Sequence, residues 1–120
     1  MPGMELRITS TFVVSSAIST RDFQDVHHDR DRAQAAGSKD IFVNILTSTA
    51  LCERYVTAWA GDDVLIKGVA IRLGAPAYPY DTLTFSGHVV DVADGTATIE
   101  VTAAVSAGNH IIGTVSVAAS

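Results

Sequence analysis

The chain has 120 residues, of which 48% are apolar and 18% charged, and a formal net charge of −5. That length accommodates one domain with a single core, residues 1–120, and the apolar fraction excludes a disordered chain. The acidic balance, with no basic stripe anywhere, excludes a nucleic-acid binder, because phosphate contacts need a surplus of Lys and Arg on one face.

Cys52 is the only cysteine and lies in an apolar run. No disulfide framework is possible within the chain, and a reducing compartment, the cytoplasm, is expected. The opening MPGMELRITS has no charged region followed by an apolar core, so it does not read as a signal peptide. No apolar stretch reaches the roughly 18 residues of a membrane span. Low charge combined with many Ala and Val predicts apolar surface that a partner chain covers.

In chain order, residues 5–20 are mixed, and ITSTFVVSSAIST reads as a short extended segment. Thr20 is placed to cap a helical turn beginning near Asp22. Residues 29–36 form a second short helix that Gly37 ends. Residues 40–61, DIFVNILTSTALCERYVTAWAG, read as one long helix with Asp40 at its cap and Gly61 as its stop. Apolar residues fall on nearly every side of it: Phe42, Val43, Ile45, Leu46, Leu51, Tyr55, Val56 and Trp59. A helix with so little polar face is expected to be buried.

The second half reads as strands at 64–73, 82–92, 96–106 and 110–119. Asp94-Gly95 marks a hairpin, since a tight turn of this type needs positive φ at both positions. Residues 96–106 alternate, with Ala97, Ile99, Val101, Ala103 and Val105 on one face. Gly108-Asn109 is expected to make the last turn. A long apolar helix followed by long antiparallel strands predicts an α+β hot-dog fold, in which a curved antiparallel sheet wraps a central helix.

Residues 21–33, RDFQDVHHDRDRA, concentrate ionisable groups in a chain that otherwise carries few. Asp25, Asp29, Arg30, Asp31 and Arg32 read as a solvated face with weak local ion pairs. No second His pair or Cys cluster accompanies HHD, so no metal site is expected. For Asp22 and His27, spacing alone leaves two readings open, a capped and solvated helix start or an acid–base pair.

DFQDVHHDRDRA resembles the signature of the MaoC-like, R-specific enoyl-CoA hydratases: Asp, any residue, Asn, Pro, an aliphatic, His, then a small residue six positions on. Asp22, Val26, His27 and Ala33 match that pattern, while Gln24 and Asp25 stand at its Asn and Pro. IFVNILTSTAL (41–51) is similar to the family's helix start, with Asn44 at its glycine, and GAPAYPYDTL (74–83) to its Pro-Val-x-Pro-Gly-Asp strand start, with Tyr80 at that glycine. The resemblance spans residues 18–115, and its wording is similar to the small MaoC-like subunits of bacterial steroid side-chain degradation.

The resemblance implies a subunit of an enoyl-CoA hydratase that adds water to a steroid side-chain enoyl-CoA. Asp22 and His27 would be the acid–base pair, with backbone N–H groups of Val43 and Asn44 as the oxyanion hole. No cofactor is implied, CoA being part of the substrate. The implied partner is a larger MaoC-like/DUF35 subunit in an α2β2 heterotetramer, with a thiolase-like aldolase attached. Two rival expectations are a non-catalytic scaffold subunit and a hot-dog thioesterase working through Glu53.

Overall fold

The computed structural model describes residues 1–119. Strand β1 (Met4–Arg7) leads into helix α1 (Ser10–Ser19). A single 3-10 turn (Asp25–His27) and helix α2 (Arg30–Ala35) precede the long helix α3 (Ile45–Ala60). Strands β2 (Val64–Leu73), β3 (Thr82–Ala93), β4 (Thr96–Val105) and β5 (Gly108–Ala119) complete the chain. They form one antiparallel sheet in the order β1-β3-β4-β5-β2. Each of the long pairings, β2–β5, β3–β4 and β4–β5, contains a register shift, and such bulges bend a sheet. The expected helix-and-curved-sheet architecture is the one observed.

The core lies between α3 and one face of that sheet. Leu51, Cys52, Tyr55 and Val56 pack with Leu83, Phe85, Ile99, Val101, Ile111 and Val115. The rings of Tyr55 and Phe85 stack at 5.6 Å, and the Tyr55 hydroxyl donates to the carbonyl of Pro2 at 2.9 Å. Asp94 and Gly95 take φ of 54° and 75°, as the hairpin requires. No helix of the described residues is long and apolar enough to cross a membrane.

Several expectations are corrected. Residues 10–19 are helical, not extended: Thr9 caps α1 by accepting the N–H of Phe12, and Ser16, Ser19 and Thr20 donate back to carbonyls one turn earlier. Val13 and Ala17, one turn apart, bury that helix and override its β-branched composition. Thr20 closes α1 and does not open the next turn.

Helix α3 begins at Ile45 with Asn44 as its cap, not near Asp40. The preceding residues are drawn out by two loops: Phe42 N–H donates to Val26 O at 3.2 Å and Val43 N–H to Ala77 O at 3.1 Å. Nor is α3 buried all round. One stripe, Thr47, Ser48, Leu51, Cys52, Tyr55 and Val56, faces the sheet, while Ile45, Leu46 and Trp59 stay about half exposed. The last hairpin turns at residues 106–107, where Val105 pairs with Gly108, so Gly108 belongs to β5.

Candidate active site

The segment after α1 is built to present two side chains. Asp22 N–H donates to Ala17 O at 2.8 Å and Arg21 N–H to Ile18 O at 3.0 Å, with Arg21 left-handed at φ 57°. This is the closure that usually takes glycine at the left-handed position. Asp22 then turns the chain again, its Oδ1 accepting the N–H of Gln24 at 3.3 Å. The 3-10 turn follows at once and brings His27 back toward Asp22.

His27 is 6% exposed, and its Nδ1 donates to the carbonyl of Phe42 at 2.7 Å. That bond fixes the neutral ring with its lone pair on Nε2. Nε2 lies 3.4 Å from Asp22 Oδ2. In the neutral tautomer both atoms are acceptors, and a single water lying over the pair can donate to them and exchange a proton with them. The Phe42 ring meets the imidazole edge-on at 4.9 Å. His28 is a neighbour only: its Nε2 donates to the backbone carbonyl of Asp22 at 2.6 Å, and Phe23 stacks on it.

Asp22 and His27 line a cavity of about 280 Å³ together with Phe42, Asn44, Ile45, Gly74 and His110. The N-terminus of α3 opens onto it. Helix N-termini leave their first N–H groups without intrahelical partners. Thr47 N–H is satisfied by Asn44 Oδ1 and Ser48 N–H by Asn44 O. Asn44 and Ile45 line the cavity at this end, which makes their N–H groups the candidate donors there. Val43 is corrected here as an oxyanion donor, because its N–H is engaged by Ala77 O. Asn44 is 2% exposed, and its side chain turns toward Thr20 and Asp22.

Sequence reasoning missed His110 and Ser48. His110 Nε2 accepts from Ser48 Oγ at 2.8 Å, and its Nδ1 donates to Ala75 O at 2.7 Å. Burial holds its pKa below the usual histidine value, against the backbone hydrogen bond, which raises it. The pair ties α3, β5 and the 74–77 loop into one wall of the cavity. Ser48 shares the buried face of Leu51 and Cys52 by spacing, but nothing in the sequence links it to position 110.

The remaining candidates lie elsewhere. Glu53 borders a surface concavity with Ala50, Arg54, Thr57 and Asp62, away from Asp22 and His27. Burial, with a smaller contribution from Glu53, pushes the Cys52 thiol up to about 11, so it is no nucleophile. Arg32 reaches Asp25 at 3.3 Å and Asp29 at 3.8 Å on the surface. Asp81 clamps the backbone, accepting from Thr82 N–H at 2.8 Å and from the Ser106 hydroxyl at 2.7 Å. Among the described residues no group of His, Cys, Asp and Glu converges as a metal site would.

A helix N-terminus held against a buried histidine and a carboxylate, inside a sheet-wrapped helix, defines a class, and the family model described as "MaoC like domain" matches residues 4–110. The chain belongs to that family. It is 57% identical over 115 residues to the 3-oxo-4,17-pregnadiene-20-carboxyl-CoA hydratase beta subunit of Mycobacterium tuberculosis, covering 96% of this chain and 89% of that protein. A chain in the crystal structure of the ChsH1–ChsH2 complex from Mycobacterium tuberculosis superposes with a TM-score of 0.97 at 55% identity, covering 100% of this chain and 94% of the other. The (R)-hydratase from A. caviae involved in PHA biosynthesis shares the fold, with a TM-score of 0.90 at 17% identity over 99% of this chain and 93% of the other.

Proposed function

We propose that this chain is the catalytic subunit of an enoyl-CoA hydratase acting on a steroid side-chain enoyl-CoA. The observation that carries the reading is the approach of Asp22 Oδ2 to His27 Nε2, 3.4 Å apart, at the mouth of the α3 N-terminus. In the proposed reaction a water held by the pair adds its oxygen to C3 of the enoyl thioester. Its proton passes to the pair, and a proton from the pair reaches C2, so that H and OH add across the double bond. The thioester oxygen, which gains negative charge, is met by the N–H groups of Asn44 and Ile45 with the helix dipole behind them. No cofactor enters this scheme.

The steroid assignment rests on the likeness to the Mycobacterium tuberculosis beta subunit. A cavity of about 280 Å³ is small for a polycyclic acyl chain. A larger MaoC-like/DUF35 partner in an α2β2 heterotetramer would supply the missing volume, and the complex would hand product to a thiolase-like aldolase. One buried, unpaired cysteine suits the reducing cytoplasm. The thioesterase reading has less support, since Glu53 does not line the cavity.

The test is loss of the conjugated enoyl-thioester absorbance in the complex isolated with this chain. Asp22→Asn and His27→Ala are each expected to slow hydration by about 10²–10⁴-fold. Equal rates in wild type and Asp22→Asn would leave the chain a structural subunit.

A further inference from the structure

The cap of α3 makes more hydrogen bonds than capping requires. Asn44 Oδ1 accepts the N–H of Thr47 at 3.3 Å, the ordinary duty of a cap. Its Nδ2 carries two protons, and both are used: it donates to Thr20 Oγ1 at 2.8 Å and to Asp22 Oδ2 at 3.2 Å. The orientation of the amide follows from its partners. Thr47 N–H can only donate and an ionised carboxylate can only accept, so a flipped amide would set like against like on both sides. Thr20 in turn donates to Ser16 O at 2.9 Å, which anchors the chain of bonds in α1.

Ser or Asp would cap α3 about as well, and Thr nearly so. Among these capping side chains only a carboxamide can cap with one atom and donate to a carboxylate with the other. The oxygen it holds, Asp22 Oδ2, is the one that faces His27 Nε2. We propose that Asn44 is the positioning residue of the acid–base pair: through the cap of α3 it fixes the Asp22 carboxylate toward His27. The proposal rests on the hydratase reading of Asp22. His27 is the histidine that approaches the held oxygen, while His28 bonds the backbone carbonyl of Asp22 instead.

The experiment uses Asn44→Ser and Asn44→Asp in the purified complex. Each keeps an oxygen for Thr47 N–H, and each removes the donor to Asp22. Two quantities are read: kcat and KM for hydration, each also in the Asp22→Asn background, and the melting temperature of the complex. In Asn44→Ser the melting temperature is expected to stay close to that of wild type, because the cap survives. In Asn44→Asp a second carboxylate faces Asp22, so its kcat should fall at least as far as that of Asn44→Ser. The kcat should fall by about tenfold to hundredfold, with KM changed by less than about threefold.

A kcat within about threefold of wild type in Asn44→Ser overturns the proposal, and so does a loss of about tenfold or more added on top of Asp22→Asn, since a residue acting through Asp22 has nothing left to position there. Unfolding of α3 in both variants, or a drop in melting temperature with kcat and KM unchanged, would make Asn44 a cap alone and overturns it too. Full activity of Asp22→Asn is a different failure, since it removes the hydratase reading itself.

Discussion

His110 and Cys52 are buried titratable side chains whose burial carries a measurable consequence. Burial keeps His110 below its ordinary value of 6.5, so the folded protein stays neutral there while the unfolded chain takes up a proton. The unfolded state then binds more protons as pH falls below about 6.5, and stability is lost in that direction. The urea midpoint should fall between about pH 7.5 and about pH 5.5, and fall less in His110→Gln; equal slopes would assign the effect to another group. Cys52, fully buried with its thiol pushed up to about 11, should resist alkylation in the native complex and react fully in denaturant. Rapid native labelling would show that the helix opens locally.

Helix α1 and the 74–77 loop show what elements add to residues. The string ITSTFVVSSAIST has strand composition, and no local signal outweighs it. Its Thr9 cap and hydroxyl back-bonds are local, but the burial of Val13 and Ala17 that decides for helix needs the folded partner surfaces. The 74–77 loop is constrained by close approach instead. A Cβ on Gly74 would lie 2.4 Å from the carbonyl oxygen of Asn109, a backbone atom with no freedom to retreat. Gly74 N–H and Ala75 N–H also donate to His110 O and Asn109 O, both at 2.9 Å. Gly74→Ala is therefore expected to cost about 1–3 kcal/mol in chemical denaturation and to weaken hydration by displacing His110 from the cavity wall. A neutral effect on both would mean that β5 shifts freely at this end.

At the scale of the molecule the exposed apolar side chains stand out. Ile45, Leu46 and Trp59 of α3 remain open, as do Val89, Val90 and Val92 of β3. Strand β1 pairs only with residues 82–85, so the rest of β3 on that side is an unpaired edge. Exposed edges of this kind favour association with another chain. The chain expressed alone should show a concentration-dependent sedimentation coefficient and a lower melting temperature than the co-expressed complex, because partner binding stabilises by mass action. A monomer at every concentration, with a melting temperature that the partner leaves unchanged, would count against the proposed heteromer.

The sequence by itself determined the parts governed by local chemistry and strict period. The alternation of β4, the Asp94-Gly95 turn, the stop at Gly61 and the likeness of DFQDVHHDRDRA to the hydratase signature were all legible, since each depends on residues within one segment. Tertiary structure decided whatever depends on residues distant in the chain. Val43 N–H lost its free donor to Ala77, Ser48 met His110 62 positions away, and Asn44 became the cap because the loops at Val26 and Ala77 hold residues 42 and 43 out of the helix. Asn44 then reached Asp22 across 22 positions of sequence. Hydrogen-bonding groups are satisfied by whatever packing brings near, and neither period nor spacing encodes those partners.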